Sequence, residues 1–94
     1  MKRILNIPFE LGRIIITPAA KAVIPAAEIM RAFGRHVSGD WGDISDDDWE
    51  INNGAVIHES GLIHSIYKSR GETKFWVITK ADSSATTVLL PSDY

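Results

Sequence analysis

The chain has 94 residues, a formal net charge of −2, 45% hydrophobic residues, 23% charged residues and no cysteine. This composition is typical of one globular domain, residues 1–94, and it excludes disulfides, a thiolate nucleophile and cysteine-ligated metal sites. No apolar run approaches the roughly 18 residues that span a bilayer, and Asn6, Pro8 and Glu10 interrupt the apolar start of the chain, so we expect a cytoplasmic protein without a membrane partner.

The first elements are indicated by β-branched residues and prolines. Residues 13–17 form a β-branched run that predicts a buried strand. Thr17 followed by Pro18 is typical of a helix start, and Pro25 should end this first helix and begin a second one that extends to about Arg35. Apolar residues recur on the second helix at spacings of three and four and predict one buried stripe: Ala26, Ile29, Met30, Phe33 and Val37.

A glycine-containing loop, residues 38–44, should link the second helix to a third. The third helix is predicted to begin at Asp46, because Ser45 is a favourable N-cap and aspartates fill the first turn, where the helix dipole favours carboxylates. We expect this helix to end near Asn53, with Gly54 as its stop.

The last third of the chain shows the alternation and the short polar turns of β-hairpins. It predicts strands at residues 61–68, 73–80 and 85–90, the middle one central because both of its faces carry large apolar residues. The first strand should join this meander at an edge, which gives the order β-α-α-α-β-β-β. We therefore predict an α+β fold in which a small antiparallel sheet of about four strands packs against two or three short helices on one face.

Three segments carry a resemblance to a known family: residues 35–43 (RHVSGDWGD), 74–82 (KFWVITKAD) and 86–94 (TTVLLPSDY). They resemble the small plasmid-related proteins of bacterial plasmids and integrative elements, over roughly residues 9–94. The resemblance implies no established activity and no cofactor. Some members carry the label of a type I restriction methyltransferase subunit, but this chain has no glycine-rich cofactor loop, no Asn-Pro-Pro-Tyr-like motif and too little length for a cofactor-binding fold.

The loop after the second helix and the acidic segment that follows are the first candidate surface. No Lys or Arg lies between Arg35 and Lys68, and six acids fall within the eleven residues 40–50. Tryptophan is common among the residues that dominate binding at protein interfaces, so Trp41 on a glycine-flanked turn beside an Asp and a His is a candidate contact for a partner protein. The acids suggest mimicry of nucleic-acid phosphates, as in antirestriction proteins. The alternatives are a tryptophan that fills the core and a solvated helix start. The predicted partner-binding residues are His36, Asp40, Trp41, Asp43, Asp46, Asp47 and Asp48.

Metal and catalytic sites find little support. The three histidines, His36, His58 and His64, are spaced by 22 and 6 residues, which matches no standard ligand pattern. The acidic segment fails as a calcium loop, because Asp48 stands where the sharp turn needs glycine. A His36–Asp40 pair is conceivable as a catalytic dyad, but a nuclease of this kind also needs a substrate groove lined by basic residues, and the lysines and arginines lie elsewhere in the sequence. We expect no metal and no cofactor, and we favour a non-enzymatic function over an enzymatic one.

Basic and aromatic residues of the hairpins form the second candidate surface. A sheet face with both residue types binds single-stranded nucleic acid by stacking and charge, whereas bases on strands also serve to prevent aggregation. The predicted nucleic-acid residues are Tyr67, Lys68, Arg70, Lys74, Trp76 and Lys80.

Three functions follow in order of preference. The first is a non-enzymatic accessory protein of a mobile element that binds another protein, with anti-defence activity through its acidic surface. The second is a small nucleic-acid-binding protein, and the third is a nuclease-like enzyme that uses His36 or His64. We expect a monomer or a homodimer.

Overall fold

The structure, a computed structural model, describes residues 9–94. Sheet strands and helices follow in the predicted order, and a 3-10 turn (Pro91–Asp93) comes last. Their bounds are β1 (Arg13–Ile16), α1 (Pro18–Val23), α2 (Ala26–Val37), α3 (Asp46–Ile57), β2 (Ile63–Lys68), β3 (Lys74–Thr79) and β4 (Ala85–Leu89). The predicted α+β layout is confirmed. Within residues 9–94, no helix has the length and apolar character needed to cross a membrane.

The four strands form one sheet in the order β1-β4-β3-β2. Strands β2, β3 and β4 form the predicted antiparallel meander, with β3 in an inner position. β1 joins at the predicted edge, but it runs parallel to β4, from the pair Arg13↔Ala85 to the pair Ile16↔Val88. The prediction of a wholly antiparallel sheet is therefore wrong in this one strand. Parallel neighbours need a long crossover, and the chain between β1 and β4 supplies it.

Helix starts follow the sequence signals, whereas helix ends do not. The Thr17 hydroxyl accepts the Ala20 N–H at 3.2 Å, and the Ser45 hydroxyl accepts the Asp48 N–H at 3.1 Å. Helix α3 continues past Gly54, where it was expected to stop, to Ile57, and α2 continues two residues beyond its expected end, to Val37. Glycine inside a helix costs about 1 kcal/mol relative to alanine. Burial of apolar residues beyond Gly54, where α3 continues, offsets that cost.

The helices pack against one face of the sheet through two apolar clusters. The first cluster joins α1 and α2 to the sheet and contains Ala20, Ile24, Ile29, Ala32, Tyr67, Phe75, Val77 and Val88. The second joins the loop after α2 to α3 and the start of β2 and contains Trp41, Ile44, Trp49, Ala55, Val56 and Ile63. Met30, which the sequence placed in the buried stripe, is 68% exposed, because α2 turns the side that carries Ile29, Ala32 and His36 towards the sheet.

Candidate functional site

The loop predicted to bind a partner is built into the fold. Trp41 has 0% of its surface exposed, and its indole N–H donates to the side-chain oxygen of Asn53 at 2.8 Å. Around it, the backbone of residues 41–43 lies along the outer edge of β2. The Ile66 N–H donates to the Trp41 carbonyl at 3.1 Å, and the Asp43 N–H donates to the Ile66 carbonyl at 2.7 Å. The structure thus decides for the alternative in which Trp41 fills the core.

Other residues of the segment 35–43 also stabilise the fold. Arg35 makes two hydrogen bonds to the Asp40 carboxylate, at 2.7 and 3.2 Å, and these bonds raise the pKa of Arg35. The guanidinium also lies 4.8 Å from the centre of the Tyr67 ring, and the Tyr67 hydroxyl donates to the Asp40 carbonyl at 2.7 Å. Gly42 has a φ of +78°, and a Cβ there would collide with the Ile66 carbonyl oxygen. The residues that make the block specific hold one tight loop against β2.

His36 is the centre of a buried chain of hydrogen bonds that crosses the sheet. Its Nδ1 lies 2.6 Å from the Ser65 hydroxyl and its Nε2 lies 2.8 Å from the Thr79 hydroxyl, which in turn lies 2.8 Å from the hydroxyl of Thr86. Thr86 donates to the Leu11 carbonyl at 2.6 Å. A hydroxyl has only one proton to donate. Because Thr86 donates to Leu11, Thr79 must donate to Thr86 and the Nε2–H of His36 must donate to Thr79. In the neutral ring, which burial favours, Ser65 then donates to Nδ1.

This arrangement holds His36 neutral. Burial lowers the pKa of His36 to about 3, with a smaller contribution from His64. Both ring nitrogens are bonded to hydroxyls, so neither serves the His36–Asp40 dyad considered from the sequence. The Ser65–His36 contact resembles a nucleophile and its base, but both residues have 0% of their surface exposed and no substrate can reach them. Among residues 9–94, no three His, Asp or Glu side chains are placed to hold a metal ion.

Asn52 closes the edge of β2 and was missed by the sequence analysis. Its side-chain amide donates to the His64 carbonyl at 2.8 Å, and its side-chain oxygen accepts the His64 N–H at 3.2 Å. An asparagine within a helix gives no sequence signal for such a contact, because its partner lies 12 residues away. With the loop bonded to Ile66, the outer edge of β2 is covered along residues 64–66, so it is closed to the edge pairing by which sheets associate.

The face of the sheet opposite the helices, here called the outer face, has a different character. Alternation and register place three of its residues in a row across β2, β3 and β4: His64 opposite Ile78, and Ile78 opposite Thr87. Every charged residue of the four strands is basic and lies on this face: Arg13, Lys68 and Lys74. Lys80 extends the same alternation one residue beyond β3, where its N–H donates to the Ala85 carbonyl at 3.0 Å.

Trp76 lies at the centre of the outer face and is partly exposed. The His64 ring contacts it edge-on with centroids 4.6 Å apart, and the Tyr94 ring contacts it at 5.3 Å while 82% of Tyr94 stays exposed. Burial lowers the pKa of His64, against the opposing effect of Asp48, so this ring is neutral at pH 7. Three aromatic rings therefore meet between the basic residues. The sequence analysis considered His64 only as a metal ligand or a catalytic residue and did not consider Tyr94, because neither lies in the same segment as Trp76.

Two residues of the predicted nucleic-acid set do not belong to this face. Tyr67 points to the opposite side, where it is 3% exposed and packs beside Phe75, and burial raises its pKa. Arg70 lies in the turn between β2 and β3. The other four members, Lys68, Lys74, Trp76 and Lys80, do share the outer face.

The acidic residues lie on the loop before α3 and on its first turn, and Asp48 is near enough to the outer face to oppose the lowering of the His64 pKa. Asp43, Asp46, Asp47 and Asp48 are all exposed. Of the predicted partner-binding set, the acids thus remain accessible, whereas His36 and Trp41 are buried and Asp40 is bonded to Arg35.

The fold and the outer face define an α+β domain in which one partly exposed sheet face carries aromatic and basic residues. No family model, curated protein or solved structure matches the chain. The resemblance to plasmid-related proteins stays a prediction.

Proposed function

We propose that this chain is a non-catalytic, cytoplasmic binding protein that holds single-stranded nucleic acid on the outer face of its sheet. The observation that carries the proposal is the sorting of charge: all charged strand residues are basic and lie on the same face of the sheet as Trp76. Basic side chains attract the phosphates of a nucleic acid, and its unpaired nucleobases stack on exposed aromatic rings. A duplex hides its bases from such rings, which favours a single strand as the ligand.

The placement of the lysines supports an anionic ligand. Lys68 and Lys74 lie directly opposite each other on adjacent strands, and like charges in that position are destabilising. Of these two lysines, only Lys68 forms a salt bridge among residues 9–94, and its partner is Glu72, at 3.5 Å on the exposed turn. A phosphate between the two ammonium groups would remove their repulsion. From Lys74 to Lys80 the outer face spans about 20 Å, enough for several nucleotides along β3.

Binding should be measured with fluorescent single-stranded oligonucleotides at about 50 mM and about 200 mM salt, the range over which phosphate contacts lose most of their strength. We expect a Lys74→Ala, Lys80→Ala double variant to bind more weakly and with a smaller salt dependence. Lys21→Ala, which removes an exposed base from α1, is the control. An absence of binding by the natural chain at the lower salt concentration would contradict the proposal.

Intrinsic fluorescence gives a second measurement. Trp41 and Trp49 are buried, with 0% and 4% exposed, so a stacked base should quench mainly Trp76. Quenching should disappear in Trp76→Phe, in which binding persists because phenylalanine also stacks.

A second candidate is supported by the acidic surface. We also propose, as the alternative, a mobile-element accessory protein that binds another protein through the exposed acids of α3 beside Ile51, which is 64% exposed. Exposed negative charge next to an apolar side chain favours a basic protein partner. An Asp46→Asn, Asp47→Asn variant should then lose a partner that the natural chain retains after nuclease treatment. Retention of that partner by the variant would count against this candidate.

A further inference from the structure

A second basic site lies at the turn between β2 and β3, on the helix side of the sheet. There a groove of about 480 Å³ separates this turn from the α1–α2 junction. Arg31 and Glu28 line it from α2, Arg70 and Thr73 line it from the turn, and Val23 and Pro25 form its apolar side. Arg31 and Arg70 therefore lie on opposite walls of one groove although 39 residues separate them in sequence.

The arginines of this groove are exposed and form no ion pair within the described part of the chain. The acid that lines the groove with them already has a partner, since Glu28 accepts the backbone N–H of Arg70 at 2.6 Å. That bond fixes the turn against α2 and leaves the Arg70 guanidinium outside it. Guanidinium groups hold phosphates with two parallel hydrogen bonds.

A line of bases connects the groove with the outer face. Lys68 and Lys74 are the last and first residues of the two strands that lead into and out of the turn, so they stand at the same end of the sheet as the groove. Lys68 also lines a smaller cleft with Arg31 and Arg35, which lies between α2 and the edge of β2. Glu28 also lines this cleft, and Arg35 is paired with Asp40 and Lys68 with Glu72. The bases between the outer face and the groove that form no ion pair among the described residues are Lys74, Arg31 and Arg70.

We propose that the groove binds the sugar–phosphate backbone of a nucleic-acid strand that continues from the outer face, with Arg31 and Arg70 as its phosphate contacts. The inference rests on the proposed function of the outer face and extends it in two ways. It makes Arg70 a contact of the groove and not of the outer face. It also predicts that the protein distinguishes nucleic acids by length, because a short strand fills the outer face only and a longer strand reaches the groove.

The test compares two oligothymidylates near the limits of the usual site size, about 4 and about 16 nucleotides. We expect Arg31→Ala, Arg70→Ala to leave the affinity for the short strand unchanged and to lower that for the long strand. For the long strand, the slope of log K against log salt should decrease by about 1.4, since each phosphate contact of a single strand contributes about 0.7. Lys21→Glu, which lowers the net charge by the same two units, is the control for a change of net charge alone.

Three outcomes would overturn the inference, and they are separable from one another. If the arginine variant lost affinity equally for short and long strands, the effect would be one of charge in general. If its affinity for the long strand were unchanged, the groove would not be used. In both cases Lys74→Ala, Lys80→Ala would still weaken binding, so the proposed function would stand. Failure of the natural chain to bind either strand would overturn the proposed function together with the inference.

Discussion

Two tryptophan-containing regions of this chain invite a functional interpretation. In the structure, the tryptophan of one is buried and that of the other is partly exposed. In the loop after α2, Trp41 is enclosed by the fold, and its neighbours Arg35, Asp40 and Gly42 hold the loop against β2. On the outer face, Trp76 stays partly exposed among basic residues. A specific sequence block can thus owe its residue types to folding, while a less distinctive strand presents the accessible surface.

The largest difference between the two regions should appear when each tryptophan is replaced by alanine. Trp41→Ala should lower the free energy of unfolding by about 3–5 kcal/mol, because it leaves a large cavity in the core. Trp76→Ala should cost much less stability but should weaken oligonucleotide binding about 10- to 100-fold through loss of a stacked base. Urea unfolding and binding titrations of the same two variants test this, and similar unfolding midpoints would remove the distinction.

Glycine substitutions test whether the loop requires Gly42 to pack against β2. Gly42→Ala should destabilise the protein by about 3 kcal/mol, because a side chain there adopts an unfavourable positive φ and collides with the Ile66 carbonyl. Gly54→Ala is the matched control, since a Cβ at that helical position meets nothing within 4 Å. It should raise the free energy of unfolding by about 0.5–1 kcal/mol. Equal effects of the two substitutions would contradict the structural role of Gly42.

The pH dependence of the free energy of unfolding tests the burial of His36, which lies near the end of α2 next to the loop that contains Trp41. The pKa of His36 is about 3 in the folded chain and 6.5 in the unfolded chain, so below pH 6.5 the unfolded chain binds a proton that the folded chain does not. The contribution of His36 is therefore complete above pH 6.5 and is lost as the pH falls, at roughly 1.4 kcal/mol per pH unit. About 2 kcal/mol should disappear between pH 6.5 and pH 5.

Denaturant unfolding at several pH values measures this loss. His36→Gln should flatten the dependence, whereas His58→Gln, at an exposed histidine, should leave it as it is. An NMR signal of the His36 ring that stays constant from pH 8 to pH 5 would support the same conclusion without a variant. Titration of that signal near pH 6.5 would refute it.

The smallest effect concerns the opposed lysines of the outer face. Lys74→Gln should stabilise the free protein by a few tenths of a kcal/mol, because it removes the repulsion with Lys68. The same change should weaken nucleic-acid binding. A stability loss in Lys74→Gln, measured by thermal unfolding at low salt, would show that the lysine pair carries no cost for a ligand to relieve.

The candidate site was only partly visible in the sequence. Alternation along β2 and β3 places Lys68, Lys74, Trp76 and Lys80 on one face. The same alternation puts Tyr67, the neighbour of Lys68, on the opposite face, so its inclusion in the predicted nucleic-acid set was wrong, as its 3% exposure shows. His64, Tyr94 and the groove partner Arg31 were missed, because register and turn packing bring them into place across segments that are distant in sequence.

The sequence by itself determined the order of elements and the points where helices begin. Thr17-Pro18 and Ser45 act through their own backbone and the next turn, so these signals need no distant partner. Only the tertiary structure decided the parallel pairing of β1, the continuation of α3 past Gly54 and the inward position of Trp41. Each of these features is stabilised by contacts between residues far apart in the chain, so local propensity does not predict it.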